Sequence, residues 1–122
     1  MTTQEVANRL VHLCKEGKFG EAIATLYSED IVSVEAGAPP GKSRETKGLD
    51  GVKAKGEWWA ANHEVHISVV EGPLVAGIHF SVAFKFDVTS KPLNRRFQMD
   101  EIALYRVEGG KVVYEEFFYK LG

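Results

Sequence analysis

Cysteine is almost absent. Cys14 stands alone, so the chain cannot close an internal disulfide or build a thiolate metal cluster, and a reducing cytoplasm is the expected compartment. An excess of either charge is also lacking: 15 Lys and Arg face 17 Asp and Glu, a formal net charge of -2. That balance excludes a general basic surface, so neither nucleic acid nor an anionic membrane is expected as a partner. No apolar run approaches the roughly 18 residues of a spanning helix. The opening MTTQEVANR places acidic and amide residues where a secretory leader keeps its apolar stretch, which predicts an unexported protein. The sequence holds no phosphate-cradling glycine motif, Ser-His-Asp order or zinc signature, so no metal and no cofactor are expected. What is there suits one domain over residues 1–122, because 44% hydrophobic and 11% aromatic residues can fill a single core.

The first half reads mainly as helices. Val6, Leu10, Leu13 and Cys14 recur at helical spacing between Thr3 and Glu16, and Gly17 follows where a left-handed cap belongs. Phe19, Ala22, Ile23, Leu26 and Tyr27 repeat the pattern for a second helix, closed by Ser28-Glu29-Asp30. Ile31 to Ala36 alternates as a half-buried strand, with Val32, Val34 and Ala36 on one face and Ser33 and Glu35 on the other. Residues 37–48, GAPPGKSRETKG, predict a long exposed loop that could rim a pocket. Leu49, Val52, Trp58 and Trp59 suggest a third helix ending near Asn62-His63.

The second half changes period. Val65, Ile67 and Val69 alternate up to Gly72-Pro73, which reads as a turn. Phe80, Val82, Phe84, Phe86 and Val88 all fall on one strand face. Two more strands, Arg96 to Val107 and Lys111 to Leu121, flank a hairpin signal at Gly109-Gly110. This order predicts an α+β fold, with three helices from the N-terminal half packed on a strongly curved, mostly antiparallel sheet.

Three stretches carry a resemblance. They are Gly17-Lys18-Phe19 through Leu26-Tyr27-Ser28-Glu29-Asp30, the segment Gly56-Glu57-Trp58-Trp59, and the ending from Ile102-Ala103-Leu104-Tyr105 through Gly109-Gly110-Lys111-Val112-Val113. With the order of elements, the sequence resembles the nuclear transport factor 2-like superfamily, particularly its SnoaL-like and ketosteroid-isomerase-like branches. The resemblance implies a cone of the cystatin-like α+β barrel type that binds a small apolar or weakly polar molecule, and a homodimer formed across the sheet. It also argues against ketosteroid isomerase activity itself. The position of that enzyme's general base falls on Ala36, its oxyanion-hole tyrosine on Leu10, and the third position, an acid in SnoaL-like cyclases as well, on Ala103, so the resemblance supports neither assigned reaction.

An acid displaced along the cone could replace the missing groups. Glu101 shares a strand face with Ala103, two residues away. Its companion depends on the hairpin: a two-residue turn puts Glu116 opposite Ala103, a three-residue loop puts Glu115 there. The family alignment points Val113, Glu115, Phe117 and Tyr119 inward, which makes Glu115 a diagonal neighbour of Glu101 at roughly 7 Å. Two carboxyls in a partly apolar cavity cannot both ionise cheaply, so the pair could serve as acid and base. The plainer alternative is that these acids are solvated or paired with Arg95, Arg96 and Lys120. His63, at the third helix's end, can titrate near neutrality and is a further catalytic candidate. Leu10, Trp58, Trp59, Phe80, Val82, Phe84, Met99, Phe117 and Tyr119 are the expected ligand-binding residues, although core packing explains several equally well. Two functions therefore stay open: a cofactor-free isomerase, cyclase or dehydratase, and a ligand-binding or dimerisation module without turnover.

Overall fold

Thr2 begins the first helix. In the computed structural model, which describes residues 1–121, its side chain accepts from the Glu5 N–H at 3.1 Å, and Glu5 accepts from the Thr2 N–H at 2.9 Å. This reciprocal cap satisfies two backbone donors that a helix start leaves free. Helix α1, Thr3–Lys15, ends at Gly17, whose φ of +75° lets the Lys18 N–H reach back to the Leu13 carbonyl at 2.8 Å. Its apolar stripe of Val6, Leu10, Leu13 and Cys14 is buried.

Helix α2, Phe19–Leu26, stops one residue earlier than the apolar spacing suggests. Tyr27 turns extended and pairs with Val112, so it opens strand β1, Tyr27–Val34. The inner face of β1 also differs from expectation: Ile31 and Ser33 are fully buried, while Val32 is only half-buried. A polar residue is thus carried into the interior. The expected loop contains a short strand, β2, Glu45–Lys47, paired antiparallel with Val32–Val34. Helix α3, Leu49–Asn62, occupies its predicted place.

Four longer strands complete the sheet: β3, His63–Ala76; β4, His79–Ser90; β5, Arg95–Glu108; and β6, Lys111–Tyr119. The strand order is β2-β1-β6-β5-β4-β3, antiparallel throughout except for the parallel β1–β6 pair. The sheet is mixed and not closed, with β2 and β3 at its edges, and the helices pack on its inner face.

Besides an irregularity in β1 between Tyr27 and Val32, three bulges in β3 and β6 set what the strands present. Gly72-Pro73 lies inside β3 as a register shift and not as a turn; the reversal comes at Gly77-Ile78. A second shift at His66 puts Val65 opposite Val88 and Ile67 opposite Asp87, so these two side chains lie on opposite faces and not on one. The third is in β6. Gly109 and Gly110, with φ of +59° and +74°, make a two-residue turn that pairs Glu108 with Lys111. Val113 is then the extra residue, and beyond it Tyr105 faces Glu115 and Ala103 faces Phe117.

The core lies between helices and inner sheet face, with Phe80 stacked on Tyr105 at 4.7 Å between ring centres. Among the described residues no helix is long and apolar enough to cross a membrane. Leu10 is 1% exposed and Trp58 is 59% exposed. Leu10→Ala is expected to cost about 2–5 kcal/mol in a urea unfolding curve, and Trp58→Ala to change stability by less than about 0.5 kcal/mol. Equal losses would place Trp58 in a packed environment and contradict this burial.

Candidate functional site

The bulge at Val113 resolves which acid faces inward. It turns Glu115 into the core at 2% exposure, leaving Glu116 on the outer face beside Tyr114. Neither hairpin register considered from sequence occurs alone, because the two-residue turn is present and the bulge then restores the inward direction of Glu115. Glu101 pairs with Tyr119 and Glu115 with Tyr105, so the two acids are not diagonal neighbours. Four residues of strand separate their levels, roughly 13 Å along the backbone.

Glu115 sits among hydroxyls. Tyr27 donates to its Oε1 across a short contact, and Ser33 donates to its Oε2 at 2.7 Å. Ser33 Oγ in turn accepts from Lys55 Nζ at 2.7 Å. Burial pushes the Glu115 carboxyl up, against the lowering effects of Ser33, Tyr27 and Lys55. Tyr27 and Tyr105 are pushed well above the usual phenol range, first by burial and then by the Glu115 charge. Burial and the same charge push the Cys14 thiol up to about 12, which makes it a poor nucleophile.

Toward the open end the interior becomes half-exposed at Met99, Glu101, Phe117 and Tyr119. Burial, then Glu35 and Glu115, push Glu101 up to about 7, while Lys55 opposes them. Lys55 Nζ stands 3.8 Å from Glu35 Oε2, an oxygen shielded from solvent and without a hydrogen bond. It also lies 5.6 Å from the centre of the Phe117 ring. The Tyr119 phenol is likewise raised, by burial and by Glu35 and Glu101. Glu35, Glu101, Lys55 and Tyr119 therefore gather toward the open end of the inner sheet face, with Glu115, Tyr27 and Tyr105 buried deeper along it.

The remaining candidates divide into three groups. Leu10, Phe80 and Val82 are each 1% exposed and form the floor of the core, and Phe84 is 3% exposed. Trp59 is half-buried, with its ring stacked on His63 at 4.4 Å and 5.9 Å from Phe86, which joins Phe84 and Phe19 in one aromatic wall. His63 Nδ1 lies 2.9 Å from the Trp59 carbonyl, which ties the imidazole to the end of α3 and not to a carboxylate. Trp58 is 59% exposed, with its ring centre 6.2 Å from that of His63 in an edge arrangement. Among the described residues no three His, Cys, Asp or Glu side chains are placed to hold a metal ion.

Sequence reasoning missed Tyr27, Ser33, Glu35 and Lys55. Two signals were present. Ser33 and Glu35 alternate on one face of β1, and Lys55 lies three residues after Val52 and four before Trp59, on the buried stripe of α3.

Since the folded chain raises Glu101 from 4.5 to about 7, it binds this proton more tightly than the unfolded chain does. The group's stabilisation is therefore full at low pH and is lost as pH rises through that window. Glu101→Gln is expected to match the parent at about pH 4 and to exceed it by on the order of 2 kcal/mol at about pH 8 in urea unfolding. Parallel pH profiles would mean that Glu101 titrates as an ordinary surface acid.

Comparison with known proteins agrees with this architecture. No curated protein matches the chain. A solved structure from Mesorhizobium loti, described as a candidate SnoaL-like polyketide cyclase with carbohydrate phosphatase given beside it, is 41% identical over 98% of this chain and 100% of that one, with a TM-score of 0.92. A protein of unknown function with a cystatin-like fold from Xanthomonas campestris superposes with a TM-score of 0.81 at 17% identity, over 99% of this chain and 92% of that one. A ketosteroid isomerase-like fold from Catenulispora acidiphila, in complex with trimethylamine, gives a TM-score of 0.67 at 21% identity, over 84% of this chain and 75% of that one. The last two likenesses concern the fold alone. The family model of the SnoaL-like domain matches residues 1–119, and the chain belongs to that family.

Proposed function

We propose that this chain is a cofactor-free acid-base enzyme of the isomerase, cyclase or dehydratase type, acting on a small apolar or weakly polar molecule, with Glu101 moving the proton. One observation carries the reading: a half-exposed carboxyl poised at about 7 stands at the open end of the inner sheet face. A group with that pKa is available as both acid and base near neutral pH, the condition under which general acid-base catalysis is most effective. Supporting it, the Mesorhizobium relative is described as a candidate polyketide cyclase.

In this reading burial and the Glu35 charge keep Glu101 basic, with Glu115 adding a smaller push from deeper in the interior. The two oxygens of Glu115 are already taken up by Tyr27 and Ser33, so Glu101 meets the substrate. Met99, Phe117, Tyr119, Phe84 and Trp59 form the walls, with Leu10, Phe80 and Val82 as the packed floor. His63 braces Trp59 at the far wall, and Trp58 lies outside. Ketosteroid isomerase activity itself remains disfavoured, because Leu10 and Ala103 offer apolar side chains at the positions of two of its catalytic groups.

We further infer a homodimer. Ile102 and Phe118 face each other across β5 and β6 on the outer sheet face, 54% and 50% exposed, and Ile67, Val69 and Leu74 continue the apolar surface on β3. Covering such a face by a second copy removes it from water. The cytoplasm is the proposed compartment, in keeping with the free, buried Cys14.

The proton-transfer reading is tested with a panel of enolisable cyclic and aromatic ketones, following α-proton exchange in D2O by NMR. Exchange is expected with the parent and a loss of about 10²- to 10⁴-fold with Glu101→Gln. An unchanged rate in the variant would remove Glu101 from the mechanism. Sedimentation at micromolar concentration is expected to give a dimer for the parent and a monomer for Phe118→Glu. A parent that stays monomeric throughout would eliminate the dimer.

A further inference from the structure

Arg106 is left without a counter-ion. Among the described residues its Nε, shielded from solvent, has no hydrogen-bond partner, and none of the ion pairs includes its guanidinium. A shielded donor on a charged group is costly to leave unmet, so it marks a place where an acceptor is missing. The neighbouring acids do not supply one. Glu116 accepts from the Tyr114 hydroxyl at 2.6 Å and stands 3.7 Å from Arg44. Glu108, the next residue on the same face of β5, is exposed and lies opposite Lys111 in register. The Arg106 head group nevertheless has a platform, since its guanidinium carbon lies 5.4 Å from the centre of the Tyr114 ring.

A groove begins beside this arginine. His79 lies directly opposite Arg106 on β4, and Leu104 precedes it by two residues on the same face of β5. Both line an open groove of about 260 Å³ on the outer sheet face, which Leu74, Ala76 and Ser81 continue. The bulge at Gly72-Pro73 brings Leu74 opposite Ser81 and Ala76 opposite His79, so small side chains on one strand face larger ones on the next. Apart from His79 and the Ser81 hydroxyl, the outward side chains along the groove are apolar.

We propose that this groove is a binding site for a small apolar monocarboxylate, with the carboxylate on the Arg106 guanidinium and the hydrocarbon body along Leu74, Ala76 and Leu104. The planar fork of a guanidinium matches a carboxylate through two parallel N–H···O bonds, and Tyr114 supports its flat face. A phosphate monoester fits less well, because its second charge would meet only His79 on a face that also carries Glu108 and Glu116. The site lies on the side of the sheet opposite to Glu101 and the buried cluster, so it does not depend on the chemistry assigned there. It shares Leu74 with the apolar surface assigned to the dimer.

The test titrates octanoate and its neutral counterpart octanamide into isotope-labelled protein, followed by NMR. Octanoate is expected to shift the amide signals of Ala76, His79, Ser81 and Leu104 and the Nε–H signal of Arg106. It is expected to bind about 10- to 100-fold more tightly than octanamide, the range of charge-assisted hydrogen bonds. Arg106→Gln is expected to abolish that preference, and Arg106→Lys, which keeps the charge and loses the fork, to recover part of it. The parent comparison needs no variant, so a variant that fails to fold does not shield the proposal. Equal affinity for the two probes overturns it, as do shifts gathered around Met99, Glu101 and Phe117, which would put the ligand on the inner face. Absence of octanoate shifts overturns it as well. Sedimentation then identifies the missing acceptor: a dimer that Arg106→Gln converts to a monomer would assign it to a carboxylate of a second copy.

Discussion

Glu115 is carried into the interior by one extra residue in β6, and its burial constrains nearly everything around it. A carboxylate without partners would be untenable at 2% exposure, so Tyr27 and Ser33 take one oxygen each. Meeting that demand places a hydroxyl-bearing residue at the first position of β1 and another on its inner face, and draws Lys55 off α3 toward Ser33. The same buried group raises the phenols of Tyr27 and Tyr105 and helps to raise Glu101. The polar cluster is thus one connected network, in which a change at Ser33 would reach Glu115 and Lys55 together.

The network grades from closed to open along β5. Val107, Tyr105 and Ala103 are buried, whereas Glu101, Met99 and Phe97 are half-exposed. Charge is therefore cheapest to move at the Glu101 end and costliest at Glu115. Helix α3 adds aromatic cover through Trp59, and α2 does so through Phe19, so the polar floor meets an apolar wall. Such a gradient of burial gives chemically identical side chains different protonation behaviour within one site.

The elements that the sequence revealed best are those where one face is wholly apolar. Phe80, Val82, Phe84, Phe86 and Val88 alternate without interruption, and β4 presents that face to the core. The stripe of α1 was legible for the same reason, whereas α3, whose buried stripe also holds Lys55, was placed from Leu49, Val52 and the two tryptophans. The misreadings occur where a polar residue is inside or a strand is irregular. Val32 and Val34 suggested the inner face of β1; Val34 is buried, but Val32 is only half-buried and Ser33 is fully buried, where its hydroxyl donates to Glu115. The bulges at His66, Gly72-Pro73 and Val113 each shift alternation by one, which residue spacing cannot register, since the pattern assumes an uninterrupted pleat. Glu115 was chosen correctly as the inward acid, but its level relative to Glu101 was not, because the two-residue turn and the bulge each move the register by one residue in the same sense, which restores the side-chain direction and displaces the level by two.

The parallel pairing of β1 with β6 joins the start of the sheet to its last strand. Tyr27 and Glu115, which meet across that pair, are 88 positions apart in the chain. Contacts of such separation carry a large loop-closure cost and come slowly in folding. While the chain is being synthesised, Ser33 and Lys55 have no acid to organise them until β6 emerges and docks. Competence of the site is therefore coupled to completion of the chain, and a partly folded or prematurely ended molecule lacks the buried carboxylate around which the cluster is arranged.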